Sequence, residues 1–108
     1  MSLEQTLLAA QALIGESRYA EALEILAGKA SENAEAAMLS GVAANRNGDL
    51  AAAIVHFEIA EKLAPELAAA PLNLGLTLRA LNKTGPASLA LTRACLLYTS
   101  DAADDETS

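Results

Sequence analysis

The chain has 108 residues, 53% of them hydrophobic, and a formal net charge of −7. That length holds one domain with a modest core, and the acidic balance argues against nucleic acid and anionic membrane, which both select basic surfaces. Only three residues are aromatic while alanine and leucine dominate, which favours helices packed through small side chains over a β-rich core.

No stretch reaches the roughly 18 uninterrupted apolar residues of a membrane span. The start, Met1-Ser2-Leu3-Glu4-Gln5, lacks the basic and apolar blocks of a signal peptide, so the expected location is cytoplasmic. Cys95 is the single cysteine and forms no internal disulfide.

In chain order, the hydrophobic periodicity predicts helices near residues 3–14, 18–29, 34–46, 50–62, 67–81 and 86–97. Gly15-Glu16-Ser17 closes the first helix, with Ser17 placed to cap the second. Asn33 caps the helix beginning near Ala34. Gly48 suits the left-handed position ending that helix, and Asp49 caps the next. Pro71 is acceptable in the first turn of a helix starting near Leu67. Asn82-Lys83-Thr84-Gly85-Pro86 makes the last break, with Pro86 in a first turn where its missing N–H is no loss.

A repeat underlies this punctuation. Shifted by 34 residues, Gly41 falls on Gly75, Ala53 on Ala87, Phe57 on Leu91 and Ala60 on Ala94. An upstream copy is offset by 31 residues: Ala10 falls on Gly41, Ala22 on Ala53 and Leu26 on Phe57. The three missing residues are assigned to the connection Ala30-Ser31-Glu32-Asn33. The expected domain covers residues 1–98 as three hairpins, about 3–30, 34–64 and 67–97, each burying its apolar face only by stacking on the next.

These residues resemble the tetratricopeptide repeat. The middle copy matches best, with Gly41, Gly48-Asp49, Ala53, Phe57, Ala60 and Pro65. The last carries Gly75, Ala87, Leu91 and Ala94 but has Asn82 where the inter-helix glycine would fall. The first has Lys29 at the second alanine position and no closing proline, and Ala37 and Pro71 replace the early aromatic. The resemblance implies an all-α, right-handed α-solenoid of antiparallel hairpins that acts as a protein–protein interaction scaffold, with no cofactor. Gly41 with Ala53, and Gly75 with Ala87, would then let backbones meet, while Phe57 and Leu91 fill the gap towards the next hairpin.

It also implies that the first helix of each hairpin lines a concave groove for a peptide or partner helix. Projected here, that gives Glu35, Met38, Leu39, Val42, Asn45 and Arg46, then Leu72, Asn73, Leu76, Arg79 and Ala80. Ordinary helix packing accounts for half of the apolar positions. Asn45, Arg46, Asn73, Leu76 and Arg79 form the candidate groove, because asparagine bonds a peptide backbone and arginine a carboxylate. Met38 and Val42 stand where chaperone-tail-binding members place the lysine and asparagine of a carboxylate clamp, so that clamp is absent. An alternative is the accessory arm of a longer bacterial enzyme, because Leu72 to Leu81 resembles arms preceding sulfotransferase or aspartyl/asparaginyl hydroxylase domains.

Catalytic constellations are not evident. His56 is the sole histidine and reads as a surface or half-buried structural residue. Glu58 and Glu61, like Glu21 and Glu24, are three apart on helices and read as solvated stripes. The glycines are too dispersed for a phosphate loop. The final stretch, from Cys95 to Asp104, is similar residue for residue to one reading frame of a transposon-end sequencing adapter, TGT CTC TTA TAC ACA TCT GAC GCT GCC GAC. The natural frame is therefore expected to run out near Ala94, with residues 99–108 a disordered, non-native tail broken at Thr99-Ser100-Asp101. The uncapped last helix would expose Leu89, Leu96 and Leu97 and favour self-association.

Overall fold

Six helices follow in order: α1 (Leu3–Gly15), α2 (Tyr19–Leu26), α3 (Ala34–Arg46), α4 (Leu50–Leu63), α5 (Ala69–Ala80) and α6 (Thr84–Thr107). The computed structural model describes residues 2–107, with side chains for residues 2–98. Each helix packs on its chain neighbours and α1 also reaches α3, so the described residues form an all-α stack of three hairpins.

Local signals set most of the boundaries. The Ser2 hydroxyl accepts from the Gln5 amide while the Gln5 side chain accepts from the Ser2 amide, a complete capping box. Asn33 and Asp49 accept from the amides of Ala36 and Ala52 at 2.9 and 3.1 Å. Pro71 and Pro86 each fall third in their helices, where the amide has no intrahelical acceptor.

The three inter-helix turns are the same structure. Ser17, Gly48 and Asn82 stand in register and have φ of 64°, 89° and 63°. The amide after each reaches back across the turn, Arg18 to the Leu13 carbonyl, Asp49 to Ala44 and Lys83 to Leu78, at 2.8 to 2.9 Å. This is the Schellman closure. Ser17 is therefore not the cap of α2. It supplies the left-handed residue, and Arg18 occupies the cap position without a side-chain bond.

Two further boundaries depart from expectation. The connection after α2 is not shortened; the helix is. α2 has 8 residues against 14 in α4 and ends at Leu26 instead of near 29, because Ala27 turns to ψ 135° and Gly28 to φ 83°. At the other end, α6 continues as helix through Thr99-Ser100-Asp101 to Thr107, where a break was expected. Extending a packed helix needs only one residue fixed per bond, serine and aspartate cost a few tenths of a kcal/mol, and Ala102-Ala103 are strong formers. The side chains of residues 99–108 lie outside the described residues, and with them the expected end of the packed core near Ser100.

The core is built mostly of alanine, in three clusters bridged by Leu23, Val42 and Met38. Its largest fully buried side chain is Phe57. A Cβ placed on Gly41 would collide with the Phe57 ring at Cε1, 2.6 Å from Cδ1 and 2.8 Å from Cζ. In the next hairpin a Cβ on Gly75 would lie 2.6 Å from Leu91 Cγ and 3.2 Å from the Ala87 carbonyl. The large residues thus seal their own hairpin against its glycine. The first hairpin carries Ala10 and Leu26 at the same register positions, both with no exposure and in one cluster.

Between hairpins, the Arg93 guanidinium grips Glu61 through two bonds of 2.6 and 3.0 Å, tying α6 to α4. Glu61 is thereby paired across the hairpins, while Glu58 stays exposed.

Two predictions follow from these contacts. Ser17→Gly should raise stability by about 0.5–1 kcal/mol and Gly48→Ala should lower it by at least about 1 kcal/mol, since left-handed φ penalises a Cβ; urea midpoints at constant slope measure both. Gly41→Ala should cost roughly 1–3 kcal/mol through overpacking. Adding Phe57→Leu, which recreates the Ala10–Leu26 pair, should recover part of that loss. Strictly additive losses would show that the two residues are not coupled.

Candidate functional site

The expected groove residues divide between two places. Val42, Asn45 and Arg46 from α3, Phe57 from α4 and Asn73 from α5 surround a cavity of about 200 Å³. Arg79 lines a different one of about 380 Å³ on the outer face of the last hairpin, with Thr84, Ala87, Ser88 and Leu91. Six residues of helix turn Arg79 about 120° away from Asn73, so the two do not converge. Leu76 is 41% exposed and lines neither cavity.

The small cavity is held by a polar seam. Asn45 Nδ2 donates to Thr77 Oγ1 at 2.9 Å, and that hydroxyl donates to the Asn73 carbonyl at 2.8 Å. Asn73 Nδ2 donates to the Ala69 carbonyl at 2.8 Å. Thr77 is buried and forms the hub between α3 and α5. Sequence reasoning passed over it; the available signal was a hydroxyl at a helical core position. Each asparagine thus commits a donor to the scaffold, and its carboxamide oxygen remains for an N–H.

Arg46 is exposed and makes no ion pair among the described residues. Towards the start of α3, Glu35 joins Glu4, Leu7, Leu8 and Gln11 around a further cavity of about 290 Å³. Glu35, Met38, Val42 and Arg46 fall on one stripe of α3, so the groove wall is acidic at one end and cationic about 16 Å away.

The outer face of the last hairpin stands in register with the face of the middle hairpin that α5 covers. Leu96 is 63% exposed there and Leu89 is 66% exposed on another side of α6, as expected, whereas Leu97 is half-buried. Among the described residues no three His, Cys, Asp or Glu side chains are grouped to hold a metal. None of the described helices is long and apolar enough to cross a membrane.

His56 is half-buried on α4, and its Nδ1 is enclosed without a hydrogen-bond partner. Burial lowers its pKa from 6.5, and the Asp49 carboxylate offsets this in part.

No protein-family model matches the chain, and no curated protein does. Among solved structures it is similar to the MamA RS-1 ArsTM double mutant, with a TM-score of 0.80 and 24% identity over 89% of this chain and 56% of that one. MamA MSR-1 C2 also gives 0.80, at 18% identity over 93% of this chain and 59% of that one. MamA is a tetratricopeptide-repeat protein, and the likeness is one of fold: this chain has a tetratricopeptide-like helical repeat fold. It spans less than two thirds of either neighbour.

Because His56 is the sole histidine, its titration is separable from all others. Its folded pKa lies below the unfolded value, so the unfolded chain takes up the proton first. Stability is full above about pH 6.5 and declines as pH falls through the window down to the folded pKa. Asp49 is the titratable neighbour; α3 and the loop after α2 present Ser40, Ala44, Asn47, Ala27 and Ser31. Urea midpoints between pH 5 and 7 should therefore slope for the natural chain and flatten for His56→Gln.

Proposed function

We propose that the chain is a protein-interaction scaffold that binds an extended peptide along the α3–α5 groove. The observation that carries this reading is the polarity of the groove wall. Arg46, with no ion pair of its own among the described residues, sits beside the free carboxamide oxygens of Asn45 and Asn73, and Glu35 with Glu4 marks the other end. Arginine offers a bidentate fork for a carboxylate, and the asparagines accept from peptide N–H groups. A strand rises about 3.3 Å per residue, so the two charged ends suit a peptide with a basic side chain and a carboxylate roughly five residues apart. Arg79 belongs to the outer face and drops out of this site.

A second reading is favoured by that outer face. Arg79, Thr84, Ala87, Ser88 and Leu91 repeat, in register, the surface on which α5 lies. A further hairpin of a longer protein fits there, as an accessory arm requires, and a second copy of the chain is the other candidate occupant.

The groove is tested by calorimetric titration of peptides with the stated charge spacing. Arg46→Ala should weaken binding by about 1–3 kcal/mol. Glu35→Lys should invert the preference for the basic end. Unchanged affinity in both variants would move the site off the groove.

A further inference from the structure

The two ends of the stack carry the two halves of one junction. Inside the chain, α3 and α5 turn the same register positions towards the hairpin before them. Ala36 and Ala43 in α3, and Ala70 and Thr77 in α5, are all but fully buried. Ala36 and Ala43 belong to the cluster built on Leu7, Ala10 and Leu26, Ala70 packs with Ala37 and Ala60, and Thr77 receives the bond from Asn45. Gln5 and Ala12 hold these positions in α1, where both are exposed.

The other end supplies the complement. Asn45, which holds Thr77, falls in register on Arg79, and Phe57 falls on Leu91. Val42 packs against the clusters on both sides of it, whereas Leu76, its counterpart in the last hairpin, is 41% exposed. Arg79 is exposed and makes no ion pair among the described residues. It is also the only charged residue lining the outer cavity of about 380 Å³.

We propose that copies of this chain stack head to tail, α1 of one copy lying on α6 of another as α5 lies on α4, an assignment that rests on the outer face being a helix-docking surface. Register then sets Ala12 of one copy opposite Arg79 of the other, as Thr77 lies opposite Asn45. Ala12 is in the last turn of α1, and α1 carries Glu4 but no lysine or arginine. The carbonyls at a helix C-terminus favour a cation, and Arg79 brings one. Alanine, smaller than threonine, leaves room for the longer side chain. A contact of this kind joins two different faces, so it grows as an open series and does not stop at a dimer.

The test is sedimentation of the full chain over a range of concentrations. At about 0.15 M salt a Debye length of about 8 Å screens the net charge of −7, and the weight-average mass should rise past that of a dimer. Ala12→Arg sets a second cation opposite Arg79, and Arg79→Glu sets an anion against the C-terminal carbonyls. Both positions are exposed, so circular dichroism should stay unchanged. Each variant alone should associate at least about tenfold more weakly than the natural chain. An equal mixture should recover the natural behaviour, because the two altered positions then meet with opposite charge. Recovery on mixing separates this contact from two like faces meeting and from unspecific aggregation. A natural chain that stays monomeric, variants that associate undiminished, or a mixture no different from its components would overturn the proposal. The docking surface itself is read separately, in a chain that repeats residues 64–97 in register after Leu97. A raised urea midpoint there beside a monomeric natural chain overturns the second copy as occupant and keeps the surface. An unchanged midpoint removes both.

Discussion

Phe57 against Gly41 is the contact on which the middle of this stack depends. A core made mostly of alanine gains little per residue, since each buried methyl contributes only about 0.8 kcal/mol, and so it relies on backbones lying close enough for many weak contacts to act at once. The sole phenylalanine provides the largest fully buried side chain, and it is accommodated only because Gly41 has no side chain. The neighbouring hairpins solve the same problem with smaller partners, leucine on glycine and leucine with alanine. Three residue pairs in register thus make the central contact of the three hairpins.

From that constraint the surfaces follow. Once the hairpins are fixed at close range, α3 comes near enough to α5 for Asn45 to bond Thr77 directly. The polar seam of Asn45, Thr77 and Asn73 lies beside the small cavity, while Glu35 and Arg46 stand at the two ends of α3. Specificity in such a surface would rest on charge spacing along α3 more than on the shape of a deep pocket.

The repeat was legible because its carriers, Gly41, Gly75, Ala53, Ala87, Phe57 and Leu91, recur as small, small and large residues at one fixed spacing. The turns were only half legible. Gly48 declares a left-handed residue, but Ser17 and Asn82 do the same work under side chains usually read as caps, and only the backbone bonds reveal them. The shortening of α2 was misplaced into the loop, since a count of residues between registers does not say which side of a boundary lost them. Position on the first helices was enough to group Asn45, Arg46 and Asn73, which line one cavity. Arg79 was grouped with them because it too lies on a first helix, a grouping that ignores the helical rotation of about 120° between it and Asn73. Thr77 was missed because a buried hydroxyl bonding within its own helix looks like any core residue of its size.

The shortened α2 also bears on how the stack bends. The junction of the second and third hairpins is braced on both sides, by the Asn45–Thr77 bond along the groove and by the Arg93–Glu61 grip between the second helices. The junction of the first and second hairpins lacks the matching outer turns of α2, and open space lies where they would press on α4. Rotation of the third hairpin against the second would strain both of these polar bonds, whereas the first hairpin is held to the second by apolar packing of α1 and α2 on α3. The two junctions thus differ in kind, one fixed by directional bonds and the other by side-chain packing.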